Sequence, residues 1–330
     1  MSRLMPVDDR PPHDLVVCFG FTVERRRRQP WHMAHGLASG LAAQGRAVTL
    51  ITDVTDAASP AAAGQPYDVR GVPEIFRLGR PSAGLRVLTQ AMAPARIYLV
   101  TGALAITRMG PLDLGAPVDL VIASPRLSLR EIAALGPLEL WRERRLMLLP
   151  LVTALLPATL LERGFRRSGA ARPIYLSLAG RERFRALGLP SGPLLRPQVE
   201  PLAWLAHPAL RRPANSPPMV AYLGPPLALR GAHLALGAFE SAIARGLDAR
   251  LVLLLRPDVS AGAMQRFLTL VESSPAAARI TVRTEMLDAA EIAHLLAKVD
   301  AFLLPFQAPV SEVPLVIIEA GLTGRPVIAL

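Results

Sequence analysis

Residues Ala301–Leu330 read AFLLPFQAPVSEVPLVIIEAGLTGRPVIAL, and this stretch decides the fold. AFLLPF, Ala301–Phe306, is a continuous apolar run, the mark of a strand covered on both faces of a parallel sheet. VPLVIIEAGLTG, Val313–Gly324, predicts a short helix, and PVIAL, Pro326–Leu330, a second strand. Ligands of open α/β sheets sit beyond the carboxyl ends of the strands, and Glu312 falls in such a loop. Glu319 follows on the helix. Between them the first N–H groups of the helix lack intrahelical partners. Such donors suit a phosphate and carboxylates suit hydroxyls, so the stretch favours a ligand that has phosphate and sugar.

The same pattern extends toward the N-terminus. DLVVCFG, Asp14–Gly20, reads as a buried strand; Met33, Leu37 and Leu41 form a helix stripe; Gly45 stands at a helix end; AVTLITD, Ala47–Asp53, is the next strand. DLVIAS (Asp119–Ser124) and PIYLSL (Pro173–Leu178) predict later strands of that sheet. Between Asp56 and Pro117 the pattern places no element. HPALRRPANSPP, His207–Pro218, has no hydrophobic period and reads as a linker. Beyond it, MVAYLG, LVLLL and ITVR predict strands, and Leu236, Phe239 and Ile243 a helix stripe. Asp288 with Glu291 resembles an N-cap box ahead of Ile292, Leu295 and Leu296. The expected organisation is a tail over 1–13, a first α/β domain over 14–206, the linker 207–218 and a second α/β domain over 219–330. Two Rossmann-like, doubly wound domains of this kind face each other across a cleft.

Composition narrows the function classes. Of 330 residues 51% are apolar and only 5% aromatic, which suits α/β layers better than a β-sandwich. One cysteine, Cys18, excludes a disulfide framework and a cysteine-rich metal site. The formal charge is +11, and Lys298 is the sole lysine, so the surface is an arginine surface that attracts phosphates or anionic lipid. Nucleic acid is the weakest partner class, because the arginines are scattered without interleaved aromatics. The opening MSRLMPVDDRPPHD is polar, unlike a secretory signal, and sets a cytoplasmic expectation. LMLLPLVTALLPATLL, Leu146–Leu161, is 16 residues of apolar sequence flanked by arginines and short for a membrane span. It reads either as a buried helix pair broken at Pro150 and Pro157 or as a segment lying in a membrane interface. No G-x-G-x-x-G follows the first strand, which argues against a nicotinamide dehydrogenase.

In order along the chain these segments resemble the GT-B glycosyltransferases, in particular the retaining family 4 enzymes. The carrier is LLPF…SEVPLVIIEAGLTGRPVIA, similar to that family's strand, glutamate, Glu-Ala and Gly-x-Pro-Val segment. LVVCFG…HGLASGLAAQGRAVTLITD and VAYLGPPLALRGAHLALGAFE are similar to its entries into the two domains. The resemblance implies a nucleotide-diphosphate sugar as co-substrate, with no cofactor and no metal, and transfer of the sugar to an acceptor hydroxyl with retention. It implies that Glu319 holds ribose hydroxyls, that Glu312 lies by the transferred sugar, that the backbone at Val313, Pro314 and Leu315 approaches sugar and diphosphate, and that Ser311 is among the donor-binding residues. Arg230, between Gly224 and Gly231, stands where the family has a lysine for the diphosphate. Arg283 and Met286 would line the base pocket. The run Arg25, Arg26, Arg27, Arg28, with His32, reads as a surface for an anionic acceptor or headgroup, or as a solvated face.

Several positions depart from the family. The Glu312–Glu319 interval is one residue short, unless Ser311 takes the first place; Pro225 replaces a second basic residue; VERRRRQPW replaces the first loop's paired glycines; and DLVIASPRL carries no histidine. The expectation is a cytoplasmic enzyme of cell-envelope polysaccharide or glycolipid synthesis, peripheral on the inner face of the membrane. A non-catalytic nucleotide-sugar binder or assembly subunit is the rival. Because PVIAL has no helix after it, the second domain is expected to be incomplete.

Overall fold

The computed structural model describes residues 11–329, except 27, 56–63, 125, 198–215, 258, 286, 288, 309 and 310. The chain forms two compact units, Met1–Arg126 with Val152–Gln198 and Val310–Val313, and Leu127–Leu151 with Val199–Pro309 and Pro314–Leu330. Most of the expected linker lies outside the described residues. The expected tail ends sooner than position 13, since His13 already opens a strand.

The first unit is built on β1 (His13–Val17), β2 (Ala47–Thr52) and β3 (Asp68–Gly71), then a two-residue hairpin of β4 (Phe76–Arg77) and β5 (Arg80–Pro81), then β6 (Arg96–Thr101), β7 (Val118–Ile122) and β8 (Arg172–Tyr175). The main sheet runs β3-β2-β1-β6-β7-β8 with every pair parallel. Successive residues of a strand point to opposite faces, and here both faces are covered. Leu15 and Val17 pack in one cluster, Val16 and Cys18 in the other; Leu120 and Ile122 likewise oppose Val121. That is why these strands read as unbroken apolar runs. Cys18 is a free, fully buried thiol, and burial pushes its pKa up to about 12.

β3, β4, β5 and β6 all lie in the stretch between Asp56 and Pro117 where the sequence pattern places no element. β6, RIYLVT, opens on Arg96, and that arginine serves a neighbouring strand. Its guanidinium donates to both oxygens of Asp119 on β7 at 3.0 and 3.1 Å, and Arg172 on β8 donates to the same carboxylate at 2.9 Å. Asp119 is fully buried, and these two arginines neutralise it. Asp14 on β1 is held in the same way by Arg46.

The second unit carries β9 (Met219–Gly224), β10 (Arg250–Leu255), β11 (Ile280–Arg283), β12 (Ala301–Leu304) and β13 (Val327–Ala329) in the order β11-β10-β9-β12-β13, again all parallel. Its core joins Tyr222, Phe239, Phe267 and Phe302 to the leucines of β10. The helices Ala232–Ala244 and Leu315–Leu322 follow β9 and β12. Asp288, the expected cap, lies outside the described residues; its helix runs Ala289–Ala297.

The Leu146 segment departs from the burial expected of a core helix pair. Pro150 sits inside a helix, Arg144–Leu155, without ending it, and the break comes at Pro157, the N-cap of Ala158–Ser168. The second helix is a core helix: a Cβ on its Gly164 would meet the Ile106 carbonyl at 2.1 Å, so only glycine permits that approach. The first helix turns leucines outward. No single described helix is long and apolar enough to cross a membrane.

Candidate functional site

In the second sheet the strand order reverses between β9 and β12, the place where open α/β sheets take ligands. The loops after these two strands carry most of the residues singled out from the sequence. After β9 the chain passes Gly224, makes a 3₁₀ turn over Ala228–Arg230 and enters its helix through Gly231. After β12 come 305–308 and 311–314, then the helix bearing Glu319.

The two loops are tied together. Gln307 and Ala308 N–H groups donate to the Leu229 carbonyl at 3.2 and 3.1 Å. The Arg230 guanidinium carbon lies 5.3 Å from the centre of the Phe306 ring, a cation–π contact. Gly231 has φ +71°, and a Cβ there would come within 1.8 Å of the Pro305 carbonyl oxygen. Below, the buried Tyr222 hydroxyl donates to the Pro225 carbonyl at 2.8 Å, with the Arg230 carbonyl at 3.3 Å. Burial pushes the Tyr222 phenol far up, so it stays a donor. The result is a fixed arginine at the carboxyl edge of the sheet.

The turn's acidic partner is not legible in the linear pattern. Glu143, buried at the end of the helix Pro137–Arg142, accepts from the Ala228 N–H at 2.6 Å and the Leu229 N–H at 3.4 Å. Burial raises its pKa, while these two amides pull it down. Its signal in the sequence was hidden because the partner lies 85 residues away.

Glu319 is half-buried on the helix Leu315–Leu322, whose N-cap, Pro314, supplies no side-chain cap. Glu312 groups with the first unit, where its Oε1 accepts from Ser177 Oγ at 2.5 Å; Ser177 in turn accepts from the Gly180 N–H at 2.8 Å as N-cap of the helix Leu178–Arg185. Ser311 is buried and donates to the Val313 carbonyl at 3.1 Å, and Val313 packs on the first unit's core. Pro314 and Leu315 are half-buried. Arg283 ends β11 and pairs with Glu285 at 3.0 Å. Met286 and Arg27 lie outside the described residues.

In the first unit the loop after β1 is braced by its own residues. Arg25 donates to the Gly20 carbonyl at 3.1 Å and lies over the Trp31 ring, 5.1 Å from its centre. The Gly20 N–H donates to Asp53 at 2.5 Å. His32 Nδ1 is 3.2 Å from the Arg26 carbonyl, and His35 Nδ1 is 2.7 Å from the Tyr67 hydroxyl. Arg28 is exposed. After β7, Arg126 donates to the carbonyls of Thr153, Ala154 and Leu156, each at 3.1 Å. Among the described residues no cluster of three His, Cys, Asp or Glu could hold a metal ion. An open depression of about 630 Å³, lined by Ser241, Arg245 and Leu247, lies at the far end of the helix from Gly231 and brings no chemistry with it.

No family model matches the chain, and no curated protein sequence matches it. Solved structures do. A glycosyltransferase from Rickettsia africae ESF-5 aligns with a TM-score of 0.63 at 10% identity, over 97% of this chain and 79% of that one. Anabaena Alr3699/HepE, in complex with UDP and glucose, aligns at 0.58 and 15% identity, over 96% and 80%. Sucrose-phosphate synthase from Thermosynechococcus elongatus aligns at 0.56 and 18% identity, over 97% and 81%. These likenesses agree with the two doubly wound parallel sheets and their strand orders. The chain has the GT-B fold of the glycosyltransferases.

Proposed function

We propose that this protein transfers a sugar from a nucleotide-diphosphate sugar to an acceptor hydroxyl. The observation that carries the reading is Arg230, fixed against Phe306 at the strand-order reversal of the second sheet. A guanidinium there neutralises the charge that develops as the bond between the anomeric carbon and the diphosphate oxygen breaks. Glu319, on the next helix, accepts from the ribose hydroxyls. The helix N-terminus at Leu315, where no side chain caps, offers amides to the phosphates. The acceptor oxygen bonds to the anomeric carbon on the face the diphosphate leaves, and its proton passes to a phosphate oxygen. The reaction is retaining and needs no metal. A solved structure of similar fold holds UDP-glucose, which supports this donor class.

The acceptor fits a cell-envelope polysaccharide or glycolipid precursor, with the protein peripheral on the cytoplasmic face of the membrane. Calorimetric titration with UDP, GDP and their glucose and mannose conjugates, paired with donor hydrolysis by the purified chain, tests the proposal. Binding with turnover is expected. Binding without turnover would leave a nucleotide-sugar-binding protein, and no binding would refute the reading.

A further inference from the structure

The helix Arg144–Leu155 reverses the usual arrangement of a soluble helix. At 100° per residue Met147, Pro150, Thr153 and Ala154 share one face, and they are buried or half-buried. The opposite face carries Leu148, Leu149, Leu151, Val152 and Leu155, and all five are exposed, Leu148 by 63% and Leu155 by 60%. Single exposed apolar residues are ordinary, but four leucines and a valine on one helix face mark a surface that takes a partner.

Charge identifies the partner. The only charged residues on the helix are Arg144 and Arg145, both exposed in its first turn, where the helix dipole disfavours cations. Trp141, 67% exposed, lies just before them, with the Arg144 guanidinium carbon 4.5 Å from its ring centre. Nearby acids are engaged: Glu139 by Arg142 at 2.6 Å, Glu131 in the capping box of Ser128, and Glu143 turned inward onto Ala228. Apolar residues flanked by arginine and tryptophan match the boundary between acyl chains and anionic headgroups.

We propose that the outward face of the helix Arg144–Leu155, with Trp141, docks on an anionic bilayer surface, lying in the interface without crossing it. The proposal places the transfer reaction, but its test needs neither donor nor acceptor, so each reading can fail alone. The full chain is sedimented with vesicles of phosphatidylcholine alone and of phosphatidylcholine mixed with phosphatidylglycerol. Binding is expected on the mixed vesicles, weakened by salt. The Leu148→Ser/Leu155→Ser double variant, with its thermal transition intact, should bind at least about tenfold less. Arg144→Gln/Arg145→Gln should lose only the preference for the anionic lipid. Failure to bind mixed vesicles, or equal binding by the leucine variant, overturns the proposal. So does a dimer in sedimentation equilibrium that the leucine variant dissociates.

Discussion

Glu143 accepts a 2.6 Å hydrogen bond from the amide of Ala228, across 85 residues of sequence. That bond anchors the turn that presents Arg230, and it does so with a carboxyl whose pKa burial raises. Glu139 adds to the rise and Arg266 opposes it.

The raised value fixes a sign. Between the ordinary 4.5 and the higher folded value, the folded protein keeps a proton that the unfolded chain has lost. Stability therefore falls as pH rises through that window and levels off above it. Glu143→Gln keeps an acceptor oxygen and removes this component. Urea midpoints of the two proteins, measured from about pH 4 to 8, should converge at the acid end and separate in favour of the variant above it. Glu143→Ala strands two amides and should cost about 1–3 kcal/mol.

Gly231→Ala is expected to cost more than about 2 kcal/mol, since it combines a left-handed backbone with a clash on Pro305. Urea unfolding reads it directly. A near-neutral result would mean that the two loops are not held as tightly as their hydrogen bonds imply.

Removing the Asp119 carboxylate should destabilise the first unit. Asp119→Ala leaves Arg96 and Arg172 without their shared acceptor at the buried edge of three strands. Both arginines reach solvent, so a loss of about 1–3 kcal/mol is expected by chemical denaturation.

Ser177 and Glu312 form a pair whose coupling can be measured. A double-mutant cycle with Ser177→Ala and Glu312→Ala should return an interaction of about 0.5–3 kcal/mol in stability. Ser177→Ala alone should cost about 1 kcal/mol more than the coupling, because it also removes the cap on Gly180. Additive changes would show that the contact does not persist in solution.

The proposed chemistry predicts a division of labour. Arg230→Ala should lower turnover by about tenfold or more with a smaller change in donor affinity, because the leaving diphosphate needs its charge most at the transition state. Glu319→Ala should mainly raise the donor Kd, by about tenfold for lost hydrogen bonds to the ribose. Steady-state kinetics and calorimetry together separate the two effects.

Linear patterns determined much here. Unbroken apolar runs such as Leu15–Cys18 and Leu251–Leu255 revealed parallel strands, because burial on both faces leaves no room for polar alternation. Gly45, with φ +77° just past the helix Trp31–Ala43, was legible because its role is local. Arg230, Gly231 and the Glu319 helix could be placed at strand ends for the same reason. Only the tertiary structure decided that Arg96 belongs in a strand, that Glu143 grips Ala228, and that Glu312 meets Ser177. Each of those roles depends on a partner distant in sequence, and a buried charge is explained only by what neutralises it.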